Sequence, residues 1–396
     1  MLISIHLSHK LMKFSFGDEW SELKKFENLP LDDKKIVFYS ENENSMIVFE
    51  SLIDELTDKY NLDICYVTSS KNESVLMKSK NHVKTFYIGD GVIRTKFFLN
   101  LKASIMIMTM PDLESFHIKR SKIHPVHYIY MFHSMVSTHL VYRKSAFDNY
   151  DTIFCVGEHH LDEIQNTEKY YNLKPKNLIK YGYGHLDNLI QKYSENNIAS
   201  QFIKNQSTIL LAPSWSNNGI SETIGEKIIE ILLNDFNVIY RPHPMTQKNS
   251  EKKLKQIAKM FSQNKNFRLE TDIKNFDSFL ESDILITDWS GSALEFSFVF
   301  KKPVIFIDVP KKINNPEFDK ISSVPIEVKI RNEIGKVISA NDLSLLDSEI
   351  KTLLSQKNKF QEKIIKIRDE LIFNINESKE FGAKAIIELL NKKSSP

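Results

Sequence analysis

The sequence predicts an α/β protein of two domains, each built on a parallel sheet, and three observations predict it. The chain has 396 residues, and single hydrophobic cores stop growing near ~250 residues, so two cores of similar size are the default expectation. From Lys35 onward, short β-branched and aromatic runs alternate with longer amphipathic stretches, the pattern of strands joined by crossover helices. A polar stretch from Ser194 to Gln206 interrupts the alternation, and its Asn and Ser content suits an exposed connection. The boundary is placed there, giving a first domain over 35–200, a second over 201–396, and a helical extension over 1–34.

In the first domain Lys35 to Ser40 reads as a strand, Ser45 to Tyr60 as a helix and Ile64 to Thr68 as the next strand, a complete βαβ unit. Further strands are expected at Thr85 to Ile88, Ala103 to Met108, His127 to Phe132 and Thr152 to Val156. In the second domain the strands are Thr208 to Ala212, Asn237 to Tyr240, Asp283 to Thr287 and Pro303 to Ile307, separated by helical stretches such as Ser221 to Leu233 and Ser250 to Phe261. Leucine and isoleucine at helical spacing predict helices from Ala340 to Lys393 that close the fold. Gly89-Asp90-Gly91 and Gly182-Tyr183-Gly184 read as turns, lacking the third glycine and the strand-to-helix setting of a dinucleotide fingerprint.

Composition excludes several classes of function. Hydrophobic residues at 41% and charged residues at 26% match an ordinary globular protein. The 53 basic and 51 acidic side chains nearly cancel to a formal +2, so no overall field favours nucleic acid, and any anion must be held locally. Cys65 and Cys155 sit in apolar runs with no CxxC partner and read as core thiols of a cytoplasmic protein. No stretch offers the ~18 uninterrupted apolar residues of a spanning helix. The first fourteen residues carry Leu2, Ile3, Ile5 and Leu7 beside His6, His9 and Lys10, a pattern that suits a helix on the protein body or, as the less favoured reading, on the inner membrane surface.

Ligands of open parallel sheets bind beyond the carboxyl ends of the strands, where loops and helix N-termini expose free N–H groups. Three strand ends of the second domain carry unusual residues there: Pro213-Ser214-Trp215, Arg241-Pro242-His243-Pro244, and Thr287-Asp288-Trp289-Ser290-Gly291-Ser292. Each proline fixes its own φ, and Pro244 forces His243 out of the helical region, so the imidazole sits on a stiff, extended backbone. A histidine so held can move a proton or meet a phosphate, and Arg241 offers a permanent charged fork to the same anion. Ser292 and Glu295 have the spacing of a capping box, while Gly291 lets a ligand near the backbone and the Ser290 and Ser292 hydroxyls can hold a pyrophosphate at the helix start. Plain capping by Ser292 and Asp288 is the competing account, but it leaves the rest of the cluster unexplained.

In the first domain His124, His127, His133 and His139 fall within sixteen residues. Their spacing matches no standard zinc pattern and no cysteine or HExxH accompanies them, so no metal is expected. His133, at a strand end, is the better candidate for catalysis, against the alternative of a histidine bonded within the surface between domains.

At these residues the chain resembles the CDP-glycerol glycerophosphotransferase family of teichoic-acid polymerase-like enzymes, over roughly Val126 to Asp308. Ala212-Pro213-Ser214-Trp215 is similar to that family's Ala-Pro-Thr-Trp, Arg241-Pro242-His243-Pro244 to its Arg-x-His-Pro, and Thr287 to Ser292 to its Ser/Thr-Asp-aromatic-Ser-Ser turn. The resemblance implies a metal-independent GT-B fold, two Rossmann-like domains facing each other across a cleft, with no cofactor beyond the nucleotide-activated donor. It implies that the second domain binds the donor through Ser214, Trp215, Arg241, Thr287, Asp288, Ser290, Gly291, Ser292 and Glu295. The family's two histidines fall on His133, as base for the acceptor hydroxyl, and on His243, at the donor diphosphate. Ser134 and Met135 depart from the family's usual glycine context, and Met110-Pro111-Asp112 to His139 is closer to its capsule and lipopolysaccharide branch. The implied reaction moves an alditol phosphate from a CDP-alcohol to a glycan or lipid-linked acceptor. Its rivals are an inverting nucleotide-sugar glycosyltransferase, a sugar-nucleotide 2-epimerase, which needs extra acids in the cleft, and a non-catalytic binding module.

Overall fold

The computed structural model describes residues 17–73, 80–195, 206–272 and 276–394. The membrane-surface helix considered for the first residues lies outside them. Seven strands form the first sheet: β1 Ile36–Ser40, β2 Ile64–Thr68, β3 Val83–Tyr87, β4 Ile105–Met108, β5 His127–Met131, β6 Thr152–Cys155 and β7 Asn177–Lys180. Six form the second: β8 Thr208–Leu211, β9 Asn237–Tyr240, β10 Phe267–Leu269, β11 Ile284–Thr287, β12 Val304–Asp308 and β13 Gly335–Ser339. All pairings are parallel, in the orders β3-β2-β1-β4-β5-β6-β7 and β10-β9-β8-β11-β12-β13.

Central strands are apolar along their whole length because helices cover both faces of a parallel sheet. Every residue of β1, β2, β4, β6, β8 and β11 is buried. The strands absent from the sequence reading, β7, β10 and β13, are edges with mixed sequences such as Asn-Leu-Ile-Lys and partly exposed side chains. With β7 in place, Gly182-Tyr183-Gly184 does join a strand to a helix, Gly184–Glu195, and Gly89-Asp90-Gly91 likewise joins β3 to the helix Val92–Leu99. Gly182 sits at φ +98°, where a Cβ would meet the Phe373 carbonyl oxygen at 2.3 Å, so only glycine fits that turn.

The described part of the N-terminal extension holds the helix Asp18–Glu27, whose Phe26 packs edge-on against Phe86 and Phe97 of the first half. The last helix, Ser378–Ser394, expected in the second half, packs instead on the first: Ala383, Ala385 and Ile386 share a buried cluster with Phe38, Phe49 and Tyr66 beneath the first sheet. Its apolar stripe finds its uncovered surface there. Cys65 and Cys155 are buried free thiols, and among the described residues no helix is long and apolar enough to cross a membrane.

In both sheets the strand order reverses direction beside the first strand of each half, between β1 and β4 and between β8 and β11. Crossover helices leave to opposite faces on the two sides of such a point, which opens a crevice at the strands' carboxyl ends.

Candidate active site

The two crevices meet. A cavity of ≈ 600 Å³ is lined from the first half by residues just past β1 (Glu41, Asn42, Ser45), β4 (Thr109 to Pro111) and β5 (His133), and from the second by residues just past β8, β9 and β11 (Pro213, His243, Ser290, Ser292). A second cavity of ≈ 690 Å³ shares Pro111, His133, His243 and Ser290 with it, so these residues stand where the two chambers join.

His243 is half-buried, with φ −58° and ψ 145°, the extended conformation that the following proline demands. Pro244 opens the short helix Pro244–Asn249, and the His243 ring caps it: Nδ1 accepts the Met245 N–H at 3.0 Å. An accepting Nδ1 carries no proton, so in the neutral ring the proton is on Nε2. Burial, with Lys312 adding to it and Asp288 opposing, holds this imidazole below its ordinary pKa. At neutral pH His243 is therefore a neutral donor through Nε2–H.

His133 is open to cleft water, yet desolvation in the crowded cleft lowers its pKa, with a backbone hydrogen bond at Thr109 opposing the shift. The segment bearing it is pinned from both sides. Tyr183 Oη donates to the His133 carbonyl at 2.8 Å, while His159 and His160 each donate Nε2–H, to the carbonyls of Met135 at 3.0 Å and Val136 at 2.8 Å. His127 bonds Thr152 Oγ1 at 2.8 Å and His139 reaches the Ser323 carbonyl at 3.0 Å, so these two serve structure. Among the described residues no group of three potential ligands could hold a metal ion.

The helix Ser292–Phe300 starts at the cavity, with Ser290 Oγ and Ser292 Oγ 2.8 Å apart. The expected capping box is absent. Ser292 lies inside the helix with no side-chain cap, because Glu295 turns instead into the cavity floor. There burial lifts its carboxyl to about 7, with the nearby Arg241 charge opposing the shift. Gly291 also differs from expectation: a Cβ on it would meet Ser134 Oγ at 2.9 Å and Val136 Cγ1 at 3.0 Å. Its missing side chain lets the two halves touch at the wall of the second chamber. Arg241 lines the cavity but is no open fork, since Nη1 is held by Ser278 Oγ at 2.8 Å and Glu270 at 3.4 Å, with the guanidinium over Phe279.

Two further expected ligand contacts are taken up by the structure itself, those of Thr287 and Asp288. Thr287 is fully buried and donates to the Ala212 carbonyl at 2.7 Å. Asp288, 1% exposed, accepts the N–H groups of Ser214 (2.8 Å), Trp289 (2.7 Å) and Ile220 (3.3 Å). Trp215 lines neither cavity; its ring faces Lys312. Ser214 does reach the second chamber. Replacing Asp288 by alanine strands buried donors at ~1–3 kcal/mol each, so a loss of at least about 3 kcal/mol in unfolding free energy is expected in denaturant titration.

Several cavity residues escaped the sequence reading. Tyr183 is visible only as the middle of a turn, His185 lies in the first turn of the helix Gly184–Glu195, and Thr109 and Lys312 sit in loops without a motif. Lys312 is half-buried and in no ion pair among the described residues, and burial lowers its pKa.

With this geometry, residues 23–312 match the CDP-Glycerol:Poly(glycerophosphate) glycerophosphotransferase family. The chain belongs to that family. The resemblance read from the strand-end motifs is thereby met, over a longer span than the motifs alone covered. Teichoic acid glycerol-phosphate primase from Bacillus subtilis (strain 168) is 24% identical over 174 residues, 43% of this chain and 42% of that protein. The match therefore spans less than half the length of this curated relative. The wall teichoic acid polymerase TagF, solved as a histidine-to-asparagine variant soaked with CDPG, superposes with a TM-score of 0.62 at 13% identity, covering 95% of this chain and 94% of that one. A putative UDP-N-acetylglucosamine 2-epimerase from Listeria monocytogenes gives 0.59 at 13% identity, covering 91% and 96%. At such identities the likeness shows the fold alone, the two-domain GT-B architecture expected from the motifs.

Proposed function

We propose that the chain transfers a glycerol-phosphate-like group from a CDP-alcohol to a hydroxyl of a cell-envelope glycan or lipid-linked acceptor. The observation that carries this reading is the pair of imidazoles from opposite halves, His133 and His243, that line the same two chambers, His243 with its Nδ1 held by the Met245 N–H.

His133 takes the proton of the acceptor hydroxyl as its oxygen attacks the β-phosphorus. The new P–O bond forms as the bond from that phosphorus to the bridging oxygen breaks, and CMP leaves with the electron pair. The leaving group is a phosphate monoester whose second pKa is about 6, so it needs stabilisation more than protonation. His243 Nε2–H, the Ser290 and Ser292 hydroxyls and the N-terminus of their helix supply that stabilisation, and Lys312 adds a positive charge beside His243. Glu295, on the floor beyond the serines, is suited to the hydroxyls of the donor's ribose. A lipid-linked acceptor would bring this chemistry to the inner face of the membrane.

A panel of CDP-glycerol, CDP-ribitol and nucleotide sugars tests the reading. The expected result is a raised melting temperature with a CDP-alcohol and acceptor-dependent release of CMP that persists with a chelator present. Stabilisation by a nucleotide sugar alone, with release of a nucleoside diphosphate, would instead favour the glycosyltransferase reading.

A further inference from the structure

His133 stands on a segment that the sheet does not hold. Strand β5 ends at Met131, where its pairing with β6 stops, and the chain runs on through His133 to Ser137 before the short helix Thr138–Val141. Carbonyls in such a stretch must find partners elsewhere, and here side chains supply them. Tyr183 Oη donates to the His133 carbonyl at 2.8 Å. Two histidines that open the helix Glu158–Tyr171 take the next ones, His159 at the Met135 carbonyl (3.0 Å) and His160 at that of Val136 (2.8 Å).

Of these, His160 is the most tightly built in. It is fully buried, its Nδ1 accepts the Val156 N–H at 3.3 Å, and its ring centroid lies 3.9 Å from that of Phe132 and 4.2 Å from that of His159. With one nitrogen accepting and the other donating, the ring is neutral and in a single tautomer. Burial, with His159 beside it, holds its pKa well below the ordinary value and keeps it so. Val156 follows directly on β6, and its carbonyl accepts the Phe373 N–H at 3.0 Å. His160 therefore ties the Val136 carbonyl to a fixed point at the end of the first sheet. Its ring lines neither cavity, so it meets no substrate.

The other side of the segment meets the second half. A Cβ on Gly291 would stand 2.9 Å from Ser134 Oγ and 3.0 Å from Val136 Cγ1, so the segment lies between the His160 ring and the Gly291 turn. That turn carries Ser290 and leads into the helix at Ser292, and both serines line the first cavity. We propose that His160 and Tyr183 are positioning residues of the transfer reaction, holding the His133 segment at its two ends against the Gly291 turn and so fixing the base relative to the donor. The role rests on the transfer reading above, with His133 as its base. A displacement of about 1 Å in a reacting group costs on the order of 10² in rate, so the hold matters although His160 touches nothing that reacts.

Three variants of the full chain test it, followed by melting and by kcat and KM for CMP release from CDP-glycerol. A third readout, ¹⁵N relaxation dispersion at the Ser134, Met135 and Val136 amides, detects μs–ms exchange without turnover. His160→Asn offers Val156 an acceptor where Nδ1 stood but brings no donor to Val136, whereas His160→Gln brings that donor. In His160→Asn kcat is expected to fall about 10²-fold, with KM for CDP-glycerol unchanged and exchange appearing at the three amides. His160→Gln should regain most of the rate and show flat profiles. Tyr183→Phe removes only a hydroxyl and should act as His160→Asn does; it decides the matter alone if His160→Asn does not melt cooperatively. Since Tyr183 also lines the first cavity, an unchanged KM is what separates positioning from donor contact. The proposal is overturned if the variants lose melting temperature but keep the native kcat, if His160→Gln is as slow as His160→Asn, if KM rises in step with the fall in kcat, or if the rate falls while all three amides stay flat. Should no CDP-alcohol be turned over, the transfer reading falls and relaxation alone decides the hold on the segment: exchange in His160→Asn and Tyr183→Phe upholds it, and flat profiles overturn it.

Discussion

Replacing His243 by alanine is expected to lower the transfer rate by about 10²–10³, the scale of losing one donor aimed at developing phosphate charge. The ring's second duty complicates the variant. It caps the helix Pro244–Asn249 through Nδ1, and loss of a cap costs about 1 kcal/mol. His243→Asn separates the two roles, because its amide oxygen can accept the Met245 N–H while nothing extends from it into the cleft. Asparagine should therefore restore the melting temperature and leave turnover low. Recovery of turnover with asparagine would make His243 a structural residue only.

His133→Ala is expected to lower kcat by about 10²–10⁴, the range for removal of a general base, with little change in the stabilisation given by CDP-glycerol. Its pH signature follows from desolvation in the crowded cleft, which lowers its pKa. The base works when neutral, so it is already competent near pH 7, and the rate should be lost only as pH falls through a value below the ordinary 6.5. The acid limb of kcat/KM should thus lie under 6.5 and vanish in His133→Gln. A limb that persists unchanged in that variant would assign the base elsewhere.

The contrast between what was legible in the sequence and what was not has a physical pattern. Central strands such as β1 and β8 are buried on both faces and read as unbroken apolar runs, so their bounds were found within a residue or two. Edge strands β7 and β10 bury one side at most and leave no such run. Proline chemistry gave the backbone of His243 correctly, because a fixed φ is a local property. What a side chain touches is not local. The Ser292 and Glu295 spacing fits a capping box, yet the carboxyl had a better place among Tyr183 and Arg241, from strand ends far apart in the chain. Asp288, expected among the donor-binding residues, binds three backbone N–H groups from segments apart in the chain. Gly291 owes its identity to Ser134 and Val136 in the other half, a contact no local pattern records.

The central claim is that bond breakage occurs at phosphorus, between two imidazoles facing one cleft. CDP-glycerol labelled with ³²P at the β-position, incubated with protein and a sugar acceptor, tests it most directly. Label recovered in the acceptor product, with unlabelled CMP released in equal amount, is the predicted result. Label recovered in a nucleoside diphosphate would contradict it.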